Sequence, residues 1–269
     1  MQDNLLLFDI GNTTMKVGVS VGGVRRQYTL PTDAGQTADS LGLNLLLLLR
    51  EAGIAPESLA ACVAASVVPV LDPLLKAACA RFIGCPVLFA PQDLPIPLEN
   101  RYRNPREVGA DRLVAAWAAR RRKPDVPSLV VVDFGTAVTF DCIEGNAYLG
   151  GLIFPGPMTA LKALASSTAK LPSISLETEA LEPEPCQDTA TSIRHGIVFG
   201  FAAMVDGLVE QLSRQMQGPC AVVAAGGFAR TMARVSRSLG DVAPGLLLDG
   251  LEMLYKLQQQ RHQQARRQS

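Results

Sequence analysis

Apolar positions along the chain come in short strand-like runs and longer helical stretches, punctuated by glycine and proline. Residues 5–9 (LLLFD) form an apolar run that closes on a carboxylate. The turn-prone Gly11-Asn12 follows, and Met15–Val19 is strand-like again, which predicts strand, tight turn, strand. The leucine-rich stretch from Asp39 to Ala52 opens on an Asp39-Ser40 N-cap candidate and ends near Gly53, predicting a helix. Residues 59–68 and 87–90 predict buried strands, and PQDLPIPLE after them a loop. Asn104-Pro105 reads as an N-cap with proline at the first helical position, opening a helix toward Arg122.

RRKPDVP then breaks the pattern, and a domain boundary is expected there, giving domains 1–122 and 123–269. The second half starts as the first did. Residues 129–133 are an apolar run ending in Asp133, followed by Phe134-Gly135-Thr136 and a returning run from Ala137 to Ile143. FDIGNTTMKVGV and VDFGTAVTFDCI share a hydrophobic strand, Asp-x-Gly, a small polar residue and a second strand, a weak internal duplication. Helical patterns follow at about 158–169, 192–216, 228–239 and 246–260, and the polar tail QQQRHQQARRQS is expected to fray.

With 48% hydrophobic and 19% charged residues the chain reads as a well-buried globular protein. Lys plus Arg and Asp plus Glu each number 25, so no broad electrostatic footprint for nucleic acid or an anionic membrane exists, and a small-molecule partner is expected. The six cysteines lack metal-ligand spacing and read as buried reduced thiols. The amino terminus has no basic region ahead of its apolar run, and LAACVAASVVPVL is too short to span a bilayer, so a soluble, cytoplasmic protein is expected.

A strand ending in Asp-x-Gly has a definite chemical use. Glycine lets backbone N–H groups approach phosphate oxygens, Thr13 and Thr14 add hydroxyl donors, Lys16 neutralises charge, and Asp9 can hold Mg²⁺ through water. An ordinary hairpin with Asx-turn chemistry explains one such segment equally well; two in one chain favour a triphosphate clamp. The run Ala221–Arg230 breaks into Gly226-Gly227 before a helix, which suits an adenine or ribose as well as a plain turn. In EVGADRLVAAWAA, Asp111 is a general-base candidate and Arg112 an anion ligand, although an aspartate complementing a helix dipole has the same position. No Walker A or dinucleotide fingerprint competes for the nucleotide.

DIGNTTMK (9–16), NPREVGADR (104–112), VVDFGTAVTFD (131–141), GGLIFPGP (150–157), TAKLP (168–172), DTATSIRHG (188–196) and AAGGF (224–228) together resemble the ordered motif set of type III pantothenate kinases. Phe134, Ala137 and Asp188 depart from the residues usual in that family. The resemblance implies an α/β fold of two tandem ribonuclease-H-like (actin-like ATPase) domains, each a mixed five-stranded sheet flanked by helices, with ATP between them. It implies a homodimer, Mg²⁺, a monovalent cation (K⁺ or NH₄⁺), and ATP-dependent phosphorylation of pantothenate, the first step of coenzyme A biosynthesis.

Carried over by position, the ATP phosphate loop falls on Asp9, Ile10, Gly11, Asn12, Thr13, Thr14, Met15 and Lys16. Thr136 becomes an ATP contact beside the Gly226-Gly227 adenosine segment. The pantothenate site falls on Tyr102, Gly109, Ala110, Asp111, Arg112 and Thr189, with Asp111 as proton acceptor and Asp133 as the monovalent-cation ligand. His195, in SIRHG, is expected as a half-buried helix histidine. Two rival readings stay open: another small-molecule kinase of the superfamily, and a non-catalytic nucleotide-binding accessory protein of the same fold.

Overall fold

A computed structural model describes residues 3–166 and 174–268; the TAKLP segment lies outside them. The contacts divide the chain into two units. One comprises Met1–Pro97, Arg106–Ala118 and Leu247–Ser269; the other, Leu98–Pro105 and Ala119–Leu246.

The first unit holds β1 (Asn4–Ile10), β2 (Thr14–Val21), β3 (Val24–Pro31), β4 (Leu59–Ser66) and β5 (Val87–Ala90), in the order β3-β2-β1-β4-β5. β1 is antiparallel to β2 and parallel to β4. Leu5 to Ile10 are buried on both faces, which is why this strand reads as a continuous apolar run. Helix α1 (Ala38–Ala52) and α2 (Asp72–Ala78) pack on the sheet, with Leu45, Leu49 and Leu75 joining Leu6, Phe8 and Val17 in one core. The α1 cap is Thr37, whose hydroxyl accepts from Ser40 N at 3.1 Å, and Asp39 sits in the first turn instead. Gly53 ends that helix in the left-handed conformation at φ 74°.

Helix α3 (Ala110–Arg122) starts later than Asn104-Pro105 suggested, because Pro105–Glu107 closes as a separate 3₁₀ turn. At its far end Arg120, 9% exposed, donates to the carbonyls of Lys123 (3.0 Å) and Val126 (2.5 Å), tying down the RRKPDVP break.

The second unit holds β6 (Glu99–Asn100), β7 (Ser128–Phe134), β8 (Ala137–Glu144), β9 (Ala147–Pro155), β10 (Cys220–Gly226) and β11 (Asp241–Val242). Their order is β11-β10-β7-β8-β9-β6. Its stretch β9-β8-β7-β10-β11 repeats β3-β2-β1-β4-β5 with the same sequence of antiparallel and parallel pairings. The duplication heard in two short motifs is thus a duplication of topology. The sixth strand, β6, comes from the later part of the first half, so the second sheet exceeds the expected five.

Helices α4 (Pro157–Ser166), α5 (Thr189–Arg214) and α6 (Ala229–Ala233) cover this sheet. Asp188 caps α5, accepting from Thr191 N at 2.9 Å, so the helix begins three residues before the expected start. By length and composition α5 is apolar enough to cross a membrane, but Val198, Phe201, Val205 and Val209 are committed to the core with Val130, Val132 and Phe140.

The last helix, α7 (Leu246–Gln268), clusters with the first unit rather than with the half it follows in sequence. Leu248 lies against Gly18, Gly250 against Val114 and Ala118, and Glu252 accepts from Ser20 Oγ at 2.9 Å. The tail expected to fray stays helical through Gln268, as its Gln- and Arg-rich composition permits.

Candidate active site

In the first unit the β1–β2 turn brings the predicted phosphate-loop residues together. Asp9 pairs in register with Lys16, and Lys16 Nζ donates to Asp9 Oδ2 at 3.1 Å. Gly11 N donates to Thr14 O (3.1 Å), Thr32 Oγ1 to Gly11 O (2.6 Å) and Thr32 N to Thr13 O (3.0 Å), so the turn is braced from the start of the β3 exit. Asn12, Thr13 and Thr14 are exposed, whereas Ile10 and Met15 are fully buried. The last two can offer a ligand only their main chain.

Asp111 lies in the first turn of α3, where its Oδ1 accepts from Arg112 N at 2.8 Å. The carboxylate folds back over Gly109. A Cβ there would collide with Asp111 Oδ1 and lie 3.1 Å from Val67 Cγ1. Val67 N in turn donates to Ile10 O at 3.0 Å. A short chain of contacts therefore runs from the end of β1, next to Asp9, through Val67 to the Gly109–Asp111 segment. Asp9 stands near the C-terminal end of β1, and Asp111 stands beside Gly109, which packs on the residue following β4; both acids are at least half-buried.

The second unit repeats the turn with different furniture. Gly135 N donates to Ala137 O (3.0 Å), and Thr136 O accepts from Gly156 N (2.9 Å) and Thr159 Oγ1 (2.6 Å). Asp133 stands half-buried at the end of β7, one strand over from Gly226. Gly226 has φ 87°, and a Cβ on it would approach Phe134 O to 2.6 Å and Asp133 Oδ1 to 2.7 Å. The backbone at Gly226 is thus held against an acid and a carbonyl, both hard oxygen donors, while Gly227 is exposed. Among the described residues no group of three or more His, Cys, Asp or Glu side chains is placed to hold a metal.

Tyr102 also belongs to the second unit, half-buried beside β9. Thr189 opens α5 and lines a cavity of about 650 Å³ with Leu164, Cys186, Asp188 and Ile193; none of the three acids lines it. His195 is 8% exposed, stacked edge-on with Phe199 and 3.4 Å from Cys186 Sγ and from Thr178 Oγ1, a packed helix histidine as expected.

A family model described as type III pantothenate kinase matches residues 5–211. A protein of that name from Desulfovibrio desulfuricans is 60% identical over 256 residues, covering 95% of this chain and 97% of the relative. The chain belongs to the type III pantothenate kinase family. A family member from Lawsonia intracellularis is 46% identical, with 95% and 96% of the two chains covered. Among solved structures, a Campylobacter jejuni protein described as a Baf family transcriptional activator aligns with TM-score 0.61 at 19% identity, covering 95% of this chain and 99% of that one. The activator of the 2-hydroxyisocaproyl-CoA dehydratase from Clostridium difficile, with bound ADPNP, aligns with TM-score 0.53 at 14% identity over 98% and 97% of the chains. These likenesses carry the fold, the two-sheet α/β architecture of the actin-like ATPases.

Seen as a type III pantothenate kinase, the chain holds support residues that sequence reasoning passed over. Val67, which wedges between β1 and Gly109, and Thr32, which braces the first turn, occupy no motif. Their roles arise from contacts across more than 20 positions, which local patterning does not register. Gly156 was visible within GGLIFPGP, but only the structure shows that its amide is spent on Thr136 O.

Proposed function

We propose that this chain transfers the γ-phosphoryl group of ATP to the primary hydroxyl of pantothenate, giving 4'-phosphopantothenate in the first step of coenzyme A biosynthesis. The observation that carries this reading is 60% identity across 95% of the chain to a protein of that name. The chemistry of Asp9, Asp111, Arg112 and Asp133 agrees with it, since a protein that only binds a nucleotide has no use for a general base.

In this reading the candidate ATP contacts are Gly11, the exposed Asn12–Thr14 and Lys16 in the first unit, and Thr136 and the Gly226-Gly227 segment in the second. Asp111 accepts the proton of the pantothenate hydroxyl as the oxygen attacks phosphorus. Arg112 suits the pantothenate carboxylate, because a guanidinium fork matches it in geometry. Gly109 and Ala110 in the first unit, and Tyr102 and Thr189 in the second, are the further candidate pantothenate contacts that the family resemblance implies. Asp9 fits Mg²⁺, which keeps most of its waters and needs one or two carboxylates plus phosphate oxygens; it would supply charge neutralisation on the phosphates. The carboxylate of Asp133 beside the Phe134 carbonyl, in a cradle that a side chain at Gly226 would fill, suits K⁺ or NH₄⁺.

A homodimer is part of the proposal. Leu152, Ile153 and Phe154 on β9 and Met158 and Leu164 on α4 are 37–64% exposed, an apolar strip of the kind that marks an interface. Among the described residues β6 pairs with β9 at Ala147 and Tyr148 alone, and no other described strand pairs along that edge of β9. The proposed site of action is the cytoplasm.

The test supplies purified protein with Mg-ATP and K⁺ and compares ADP release with pantothenate, glycerol, acetate and hexoses. Only pantothenate is expected to stimulate turnover. Asp111→Asn is expected to lower kcat about 10²-fold, the loss of a general base; unchanged turnover removes Asp111 from that role.

A further inference from the structure

Asp141 is a carboxylate at 1% exposure on β8, on the sheet face opposite to Val138, Phe140 and Cys142. Burying such a group is unfavourable by several kcal/mol unless it is hydrogen-bonded, so its partners identify what it is for. Tyr148 Oη donates to Asp141 Oδ1 at 2.7 Å, and Thr139 Oγ1 to Asp141 Oδ2 at 3.1 Å.

That Tyr148 reaches Asp141 at all depends on a bulge. From Gly151 the ladder runs Asp141↔Gly151 and Cys142↔Gly150, and an unbroken register would continue to Glu144↔Tyr148. Facing residues share a side of the sheet, so Tyr148 would then lie opposite to Asp141. The register shift at Cys142/Ile143 pairs Tyr148 with Ile143 instead, two residues from Asp141 and on its face. Gly150 makes the shift possible at φ 115°, a conformation other residues avoid.

The same two residues, Tyr148 and Gly150, carry Tyr102. The Tyr102 and Tyr148 rings are 6.5 Å apart and tilted by 45°. A Cβ on Gly150 would press to 3.2 Å on Cδ2 and Cε2 of Tyr102, so the ring lies directly over the glycine. The main chain is anchored alongside: Arg101 N donates to Tyr148 O at 2.9 Å, and Tyr102 N to Asn100 Oδ1 at 3.0 Å.

We propose that Asp141 and Tyr148 are positioning residues that hold the Tyr102 ring against Gly150 as one wall of the acceptor site. The proposal rests on the reading of Tyr102 as a pantothenate contact. Asp141 fixes the hydroxyl end of Tyr148, and Tyr148 fixes the ring and backbone of the Tyr102 segment.

The experiment measures kcat, the KM for pantothenate and for ATP, and the Tm of the full-length enzyme carrying Tyr148→Phe, Asp141→Asn or Tyr102→Ala. Tyr148→Phe, which deletes the donor, is expected to raise the pantothenate KM by about tenfold, the size of one lost hydrogen bond, with the ATP KM moving less than about twofold; Asp141→Asn, which keeps one acceptor oxygen for Tyr148 but loses the charge, is expected to give a smaller rise of the same selectivity. A purely structural role would lower Tm and shift both KM values together, and that result overturns the proposal. An unchanged pantothenate KM in both variants, while Tyr102→Ala raises it, overturns the positioning role and leaves the Tyr102 reading standing. Tyr102→Ala without effect removes the reading and the proposal together. Should Tyr148→Phe fail to fold, Thr139→Val, which takes away one donor to Asp141 and keeps the ring, is expected to give a smaller rise of the same selectivity; no selectivity there overturns it as well.

Discussion

Lys16 Nζ sits 3.1 Å from Asp9 Oδ2, directly across the first hairpin, where the two residues face each other in register. The Asp9 side chain is 10% exposed and that of Lys16 26%, so the pair is partly withdrawn from water at the point where phosphate is proposed to arrive. A cation and an anion held together in this way form a site of no net charge that can rearrange when a metal and a triphosphate enter.

Lys16→Met therefore has two separable consequences. It leaves the Asp9 carboxylate without its ammonium partner, which destabilises by about 1–2 kcal/mol, or roughly 2–8 °C in Tm for a chain of this size. It also removes a positive charge from the phosphate loop, and the KM for ATP is expected to rise about tenfold or more. Thermal melting and ATP saturation curves read the two effects. A melting shift with an unaltered ATP curve would confine Lys16 to a structural role.

Gly109→Ala tests the placement of Asp111 in the opposite way, by separating activity from stability. The Gly109 backbone is compatible with alanine, and such a change commonly stabilises by about 0.4–1 kcal/mol through the unfolded chain. The added methyl meets the Asp111 carboxylate and Val67, so the carboxylate has to leave its position. Turnover is expected to fall by about 10²-fold with Tm level or slightly raised. A variant with wild-type kcat would show that the observed pose of Asp111 is not the working one.

The parts of this molecule that sequence made legible are those encoded within about 15 residues. An apolar run closing on Asp9 or Asp133, followed by glycine, gave both hairpins, and Gly53 gave the end of α1. What stayed hidden depends on distant partners. α7 was legible as a helix over 246–260, but where it packs was not: Leu248, Asp249 and Glu252 lie against Gly18, Arg25 and Ser20, more than 220 positions away. The β3 strand alternates weakly because most of its residues are exposed. Asn104-Pro105 carries real helix-start chemistry, yet the chain uses it for a 3₁₀ turn so that Gly109 can pass close to Val67 before α3 begins. Tyr102 was singled out by resemblance alone; the bulge that supports it has no signature beyond Gly150.

Gly226→Ala probes the second hairpin. With φ at 87° and both Phe134 O and Asp133 Oδ1 within 2.7 Å of the new methyl, neither the backbone torsion nor the space suits alanine. A loss of about 1–3 kcal/mol is expected from strain. The methyl fills the cradle proposed for K⁺, so stimulation of turnover by K⁺ over Na⁺ is expected to shrink in whatever fraction remains folded. Retained K⁺ stimulation in steady-state assays would move the cation away from Asp133.

Asp241 sets an acid limit on the second unit. Its carboxylate is 2.7 Å from Arg122 Nη2 and 2.8 Å from Lys123 Nζ, joining the end of α3 to β11. Hydrogen bonding to Arg122, reinforced by Lys123, lowers its pKa from 3.8 to about 2. The folded value lies below the unfolded one, about 3.9, so the folded state binds fewer protons over that interval. The stabilisation is therefore complete above about pH 4–5 and is lost as pH falls toward 2. Asp241→Asn is expected to lower Tm at pH 7 by about 2–4 °C, from a loss near 1 kcal/mol. Below pH 3 the wild-type carboxylate is itself approaching protonation, so the difference between the two proteins should narrow as pH falls. A wild-type-minus-variant gap in Tm that stays constant from pH 7 to pH 2.5 would mean that Asp241 contributes through packing rather than through its charge.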